Sequence, residues 1–136
     1  MAINSRDKGA RGERLWRNVL RDAGYGSAQR GQQFAGGTDS PDVKCEELQD
    51  VHWEVKFVEN LNVGKAIEQA IRDADGKKIP IVAHKKKNKP WLITLPADEF
   101  IRQFLTVRFP APPSSEGAAV SASDDCDANS DAGGDN

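Results

Sequence analysis

Apolar side chains recur every three or four positions in three stretches of the chain, at 8–23, 63–74 and 97–105. This spacing places them on one face of a helix, so each stretch predicts an amphipathic helix. Gly24 directly follows the first stretch and Gly76 lies two residues after the second. Glycine is favoured at such positions because it tolerates the left-handed conformation of a helix end. We therefore expect a helix near the start of the chain, a second near its middle and a short third one.

Alternation of apolar and polar residues is clearest over 51–58, which predicts a strand with one apolar face. That face, made by Val51, Trp53, Val55 and Phe57, is expected to be core. Shorter strand signals occur at 27–34, 42–45, 79–83 and 91–95. The order of helix, three strands, helix, two strands and helix predicts an α/β fold, in which helices flank a mixed central sheet of about five strands.

The composition changes at Pro110. Residues 111–136 contain six acidic residues, no lysine or arginine, and Val120 as their only large apolar residue. A segment of this kind buries too little surface to offset its ordering entropy, which predicts a disordered acidic tail over 110–136 after a folded domain over 1–109. Without the tail, residues 1–110 carry 19 basic and 15 acidic side chains, a net charge of +4 that is compatible with nucleic-acid binding.

Several classes of protein are disfavoured by the same sequence. No apolar run approaches the roughly 18 residues that a membrane helix needs, so no membrane partner is expected. The first residues are polar and mixed in charge, unlike a secretory signal. The two cysteines, Cys45 and Cys126, provide no disulfide framework and no metal-binding spacing. These features favour a cytoplasmic protein.

Three residues of the predicted sheet are candidates for chemistry. Glu54 and Lys56 are one residue apart on a strand, so their side chains share a face and lie about 7 Å apart along the backbone. Asp42 opens the preceding strand, and pairing of the two strands would bring its carboxylate close to Glu54. Two adjacent carboxylates repel unless a cation joins them, and Mg²⁺ suits such oxygen ligands. The metal would polarise a phosphate and activate a water, while Lys56 would orient that water or stabilise negative charge.

A less specific interpretation of this strand is also open. Glu54 and Lys56 would then form a solvated ion pair on an exposed face. His52 lies on the same face and is interpreted as a surface histidine at a strand edge rather than as a metal ligand. The two interpretations differ in whether this face is exposed to solvent.

Glu13 lies at the seam between two stripes of the first predicted helix. At about 100° per residue, one side of Glu13 carries the apolar stripe and the other carries Arg14, Arg17 and Arg21. An acid at this seam would face the sheet edge, and the arginines beside it would hold DNA phosphates. The alternative is that Glu13 pairs with Arg17 at i,i+4 on an ordinary solvated face.

A basic turn joins the last two predicted strands. It contains Lys85, Lys86 and Lys87, and it suits contacts with a DNA backbone. The alternative is a solvated turn of no specific function.

The last predicted helix is unusually apolar for its length. Its large side chains are Phe100, Ile101, Phe104 and Leu105. They are expected either to form the surface of a homodimer or to cover the core of the domain. The second predicted helix is the other candidate for a dimer surface.

Three strings occur in an order that resembles the PD-(D/E)XK nucleases. They are K-G-A-R-G-E-R at 8–14, S-P-D-V at 40–43 and W-E-V-K at 53–56. Within that superfamily the chain is most similar to archaeal-type and phage-type Holliday junction resolvases, which also have a basic strand and a Gly/Ser-rich loop before the aspartate. The resemblance covers about residues 8–105 and implies a restriction-endonuclease-like fold.

The resemblance implies a metal site. Asp42 and Glu54 would ligate Mg²⁺, or alternatively Mn²⁺, with help from the main-chain carbonyl of Val55. Glu13 would be a further ligand, directly or through a water. All three carboxylates would then count among the catalytic residues.

The resemblance also implies roles for residues around the metal. Lys56 would be the catalytic lysine, and Gln69, in the string E-Q-A at 68–70, would face the site from the second helix. Arg14 and Arg30 would bind DNA phosphates.

The function expected from these features is metal-dependent hydrolysis of DNA phosphodiester bonds. The expected substrate is a four-way junction, cut by a homodimer in the cytoplasm of a bacterial or phage-infected cell. One alternative is the same chemistry on ordinary duplex or single-stranded DNA. Another is a DNA-binding module without catalytic activity.

Overall fold

A computed structural model of the protein describes residues 5–31 and 41–113. The predicted Gly/Ser-rich loop before Pro41 and most of the predicted acidic tail, from residue 114 onward, lie outside the described residues. In chain order the elements are α1 (Ser5–Asp22), β1 (Gln29–Arg30), β2 (Val43–Lys44), a 3₁₀ turn (Glu46–Leu48), β3 (Val51–Phe57), α2 (Val63–Ala74), β4 (Ile79–Lys85), β5 (Leu92–Thr94), α3 (Ala97–Phe100), a π-helical turn (Ile101–Leu105) and α4 (Thr106–Arg108).

The five strands form one mixed sheet in the order β1-β2-β3-β4-β5. The central strands β3 and β4 are parallel, and every other pairing is antiparallel. A parallel pair needs a crossover connection, and α2 provides it across one face of the sheet. The predicted α/β fold with a mixed five-strand sheet flanked by helices is therefore confirmed.

Some boundaries differ from the predicted ones. Helix α1 begins at Ser5 rather than at residue 8, because apolar periodicity marks only the part of a helix that packs. Strand β1 has two residues where a strand over 27–34 was expected, and residues 32–34 are among those not described. The last helix continues to Arg108 and contains a π-helical turn. Within the described ranges, no helix is long and apolar enough to cross a membrane.

Each face of the sheet has its own core. Trp16 and Leu20 of α1 pack on Trp53 and Val55 of β3, which confirms the predicted apolar face of that strand. On the other face, three alanines of α2, including Ala66 and Ala70, lie buried, and two of them pack against Val82 of β4. Small side chains bring α2 close to the sheet, so this second face is also covered.

Two glycines bring the surrounding elements together where the candidate residues lie. A Cβ on Gly12 of α1 would be 2.8 Å from the Cβ of Phe57, so α1 crosses the end of β3 at close range. A Cβ on Gly31 would be 2.0 Å from the carbonyl oxygen of Pro41, and the Gly31 amide donates to the Asp42 carbonyl at 2.9 Å. Only glycine permits that second approach, which fixes Asp42 beside the end of β1.

The apolar residues of the C-terminal helical segment do not cover the core. Phe100, Ile101 and Phe104 are exposed, and Leu105 is half-buried. The interpretation of these four residues as a core cover is therefore wrong for most of them, because α1 and α2 already occupy both faces of the sheet. A homodimer through this surface stays a prediction.

Candidate metal and nucleic-acid site

His52, Glu54 and Lys56 form a row on the face of β3 that α2 covers. His52 is 1% exposed and Glu54 is 4% exposed, while Lys56 is half-buried. The interpretations of this row as a solvated face, and of His52 as a surface histidine, are therefore wrong. The cause is the crossover helix, which buries the polar face of β3 as well as its apolar face.

Asp42 lies just before β2 and is attached to β3 by two hydrogen bonds. Its amide donates to the carbonyl oxygen of Trp53 at 2.9 Å, and its Oδ2 accepts from the amide of Val55 at 2.9 Å. The Asp42 carboxylate thus meets β3 at the residue next to Glu54, as predicted for paired strands. In an antiparallel ladder the N–H and C=O of a residue point to the same side of the strand, so the Val55 carbonyl also points toward Asp42.

Burial raises the pKa of Asp42 from its ordinary value of 3.8 to about 7. The negative charge of Glu54 is the second cause, and that of Glu13 contributes as well. The hydrogen bond from Val55 and the positive charge of Lys56 act in the opposite direction. The carboxyl group of Asp42 therefore lies in an environment that disfavours its charge in the absence of a cation.

Glu54 lies at the centre of the acidic group. Burial raises the pKa of Glu54, and the charges of Asp73 and Glu13 raise it further. Lys56 lowers the pKa of Glu54, because its positively charged Nζ lies 3.3 Å from Oε2 of Glu54. The Glu54 carboxylate is thus paired with the lysine on its own strand and lies near acidic residues from both helices.

Glu13 projects from α1 toward the sheet and is 6% exposed. Its Oε1 accepts a hydrogen bond at 3.0 Å from Nε of Arg30, which lies on the short strand β1. The alternative pairing of Glu13 with Arg17 is wrong, since the Arg17 guanidinium donates to Asn18. The inward position expected for Glu13 is confirmed, and Arg30 is fixed at the edge of the site.

Asp73 was not predicted as a site residue. Within residues 5–31 and 41–113, one set of three acidic or histidine side chains has ligand atoms all within 4.8 Å of one another: His52, Glu54 and Asp73. The predicted set of Glu13, Asp42 and Glu54 does not reach that mutual distance. Asp73 is one helical turn after Gln69 on α2, so both residues lie on the same face of the helix. This spacing of four residues could have predicted that Asp73 lies near the site together with Gln69.

Gln69 itself is half-buried on α2, the helix that covers the face with Glu54. Its predicted place near the site is compatible with this position. Its catalytic role stays a prediction.

The predicted DNA-binding arginines of α1 differ in their surroundings. Arg14 is exposed, Arg17 is half-buried against Asn18, and Nε of Arg21 donates to the carbonyl oxygen of Ala28 at 2.9 Å. Arg21 therefore anchors the segment after α1. Arg14 and Arg21 are both exposed, so both are accessible to a phosphate.

The predicted basic turn lies at the carboxyl end of β4. Nζ of Lys85 donates to the carbonyl oxygens of Lys86 and Lys89, which closes the turn. The amide of Lys87 donates to Oε2 of Glu59 at 3.0 Å, which joins the turn to the segment after β3. Lys86 and Lys87 are exposed and accessible to a partner.

No protein-family model, curated protein or solved structure matches this chain. Asp42 and Glu54 offer carboxylate oxygens and Val55 a carbonyl oxygen, all of which are ligands that Mg²⁺ and Mn²⁺ prefer. The raised pKa of Asp42 and the raised pKa of Glu54 fit such a cation, because it would offset the repulsion between the two acids.

Proposed function

We propose that the protein is a metal-dependent DNA endonuclease of the PD-(D/E)XK type that cuts four-way junctions. The observation that supports this proposal most is the attachment of Asp42 to the Val55 amide, beside Glu54, with Lys56 paired to Glu54. An aspartate just before one strand, with a glutamate and a lysine on the adjacent strand, is the set that the D…E-x-K pattern requires. The burial of Glu54 on the face that α2 covers favours a specific site over a solvated ion pair.

Asp42, Glu54 and the Val55 carbonyl would hold the metal, with Glu13 as a further ligand. When bound, Mg²⁺ or Mn²⁺ supplies polarisation of a phosphate oxygen and a water of lowered pKa. Lys56 reaches the same carboxylate at 3.3 Å, so its ammonium would orient the attacking water or stabilise charge on the phosphate. Gln69 would contribute a polar group from α2.

DNA would approach along the basic residues around this site. Arg30 is held at the site edge by Glu13, and Arg14 is exposed one residue after Glu13 on α1. The exposed lysines of the β4–β5 turn would bind phosphates further along the strand. These contacts position a substrate and do not read its sequence.

The proposal of a junction as substrate rests on symmetry. A four-way junction is resolved by two related cuts, and one domain of this size offers one set of catalytic residues. A two-fold dimer would present two sets. The exposed apolar surface of Phe100, Ile101 and Phe104 is the candidate dimer interface.

The test is a cleavage assay on a labelled four-way junction beside a linear duplex of matching sequence, with Mg²⁺, Mn²⁺ or EDTA. We expect metal-dependent paired cuts in the junction and little cleavage of the duplex. Glu54→Gln should lower the rate by more than about a hundredfold, because it removes a metal ligand. Glu68→Gln, at an exposed position of α2, is the matched control and should cut normally.

Each outcome assigns the function differently. Equal cleavage of both substrates would remove the junction proposal and favour a nuclease of ordinary DNA. Binding without cleavage in any metal would favour the non-catalytic DNA-binding module. Normal cleavage by Glu54→Gln would contradict the assignment of the site.

A further inference from the structure

A groove of about 830 Å³ opens at the carboxyl ends of the parallel strands β3 and β4. One wall is the segment 58–63 that leads into α2, and the other is the end of β4 with the basic turn and Leu92. The lining combines apolar side chains, including Val58, Leu61 and Leu92, with Lys86 and Lys89. Its size is that of pockets that take a small organic molecule.

Hydrogen bonds hold the two walls together. The Glu59 carboxylate accepts from the Lys87 amide at 3.0 Å, so the one acid in the lining is directed to the turn backbone. Lys85 closes the turn by its bonds to two carbonyl oxygens and lies 5.9 Å over the Phe57 ring. Lys86 and Lys89 are exposed in the same lining. The groove is therefore preformed, with two accessible cations beside an apolar floor.

The groove continues the row of residues that carries the proposed chemistry. Glu54, Lys56 and Val58 are successive residues on one face of the chain, and Lys56 is in register with His84, which lines the groove. Val58 lies about 13 Å beyond Glu54 along an extended chain. A stacked strand of DNA rises about 3.4 Å per nucleotide, so the groove lies about four nucleotides from Glu54.

We propose that this groove binds one unpaired nucleotide of single-stranded DNA, with its base on the apolar floor and its phosphates on Lys86 and Lys89. The inference rests on the proposed function as a DNA endonuclease, and it adds a subsite for an unpaired segment near the cut. A duplex keeps its bases stacked inside, so it would leave the apolar floor unused. An unpaired base reaches the floor without the energy needed to unstack a base pair.

The test measures binding of labelled single-stranded octamers to the full chain in EDTA, where no metal supports cleavage. An oligothymidine is compared with an abasic octamer that has the same number of phosphates. Leu92→Ser should weaken binding of the oligothymidine by about fivefold or more and leave the abasic octamer unaffected. Ile93→Ser is the matched control, because Ile93 is also exposed on β5 but points to the opposite face of the sheet.

The cationic part has its own pair of variants. Lys86→Ala with Lys89→Ala should weaken both octamers and lower the salt dependence of binding by about 0.7 for each lost phosphate contact. Lys77→Ala with Lys78→Ala removes the same charge from exposed positions before β4 and should change neither. All these positions are exposed, and far-ultraviolet circular dichroism would verify the fold of each variant.

Three results would overturn the inference. They are equal effects of Leu92→Ser and Ile93→Ser, equal binding of the abasic and thymidine octamers, and displacement of the octamer by free thymidine monophosphate at matching concentration. The junction cleavage assay of the wild-type protein tests the proposed endonuclease function separately from binding in the groove. If the wild-type protein cut no junction but Leu92→Ser still weakened oligothymidine binding, the groove would bind single-stranded DNA on a protein that does not cut DNA.

Discussion

Asp42→Asn is expected to stabilise the metal-free protein at neutral and alkaline pH, although it would abolish the proposed metal-dependent activity. The pKa of Asp42 is 3.8 ordinarily and about 7 in the folded protein, owing first to burial and then to the charge of Glu54. Between these values the folded protein binds a proton that the unfolded chain has released. The free energy of unfolding therefore falls as the pH rises through this window.

The size of the effect follows from the same shift. Each unit of pKa corresponds to about 1.4 kcal/mol, so the charged Asp42 lowers the stability by about 4 kcal/mol at about pH 8. Asparagine has nearly the same shape and retains an oxygen that accepts from the Val55 amide, but it carries no charge. The stability difference between variant and wild type should thus be close to zero near pH 4 and approach about 4 kcal/mol at about pH 8.

The assay is urea unfolding in EDTA across this pH range, followed by far-ultraviolet circular dichroism. Asp50→Asn, at an exposed position before β3, is the control and should show no such pH-dependent gain. In buffer with Mg²⁺ in place of EDTA, the wild type should be stabilised by about 2.7 kcal/mol at a hundred times the dissociation constant for Mg²⁺, and Asp42→Asn should gain little. A variant that is less stable than the wild type at alkaline pH, or a difference that does not change with pH, would refute the reasoning.

Three more predictions concern the site and its supports. Lys56→Ala should lower the cleavage rate by about a hundredfold or more while gel-shift affinity for DNA stays near that of the wild type; an unchanged rate would remove Lys56 from the chemistry. Gly31→Ala should lower the free energy of unfolding by about 3 kcal/mol, because its Cβ would overlap the Pro41 carbonyl, whereas Gly26→Ala has open space and should change little in urea unfolding. Truncation after Pro110 should leave the melting temperature and cleavage unchanged and raise DNA affinity slightly at low salt, since six acids are removed; a large loss of stability would contradict the predicted tail.

A strand could be predicted from the sequence where its residue pattern has a single structural cause. The alternation over 51–58 predicted β3 and its apolar face correctly, because a period of two follows directly from the pleat. The burial of His52 and Glu54 was not readable, since it depends on α2 crossing the other face. Polar residues on a strand indicate a solvent-exposed face unless another element is known to cover that face. Three alanines on a helix are only weak evidence that the helix covers a sheet.

The partners of the acidic residues show the same limit. Spacing along the sequence can suggest only local ion pairs, so Arg17 was the alternative partner considered for Glu13. In the structure the partner of Glu13 is Arg30. That contact depends on where β1 lies beside α1, which no local pattern encodes. Asp73 was missed for a related reason, because an acid on an amphipathic helix is ordinarily solvated and its approach to Glu54 depends on how α2 is seated.

The three tryptophans of the chain have a spectroscopic consequence. The ring of Trp16 lies 5.2 Å from that of Trp53 and 5.0 Å from that of Trp91, so a helix, the central strand and the residue before β5 meet at one indole cluster. Trp16 is three residues after Glu13 on α1. The intrinsic emission of this protein therefore comes from a single region. A change in its wavelength would report whether α1 is docked with Glu13 against the sheet, without any label.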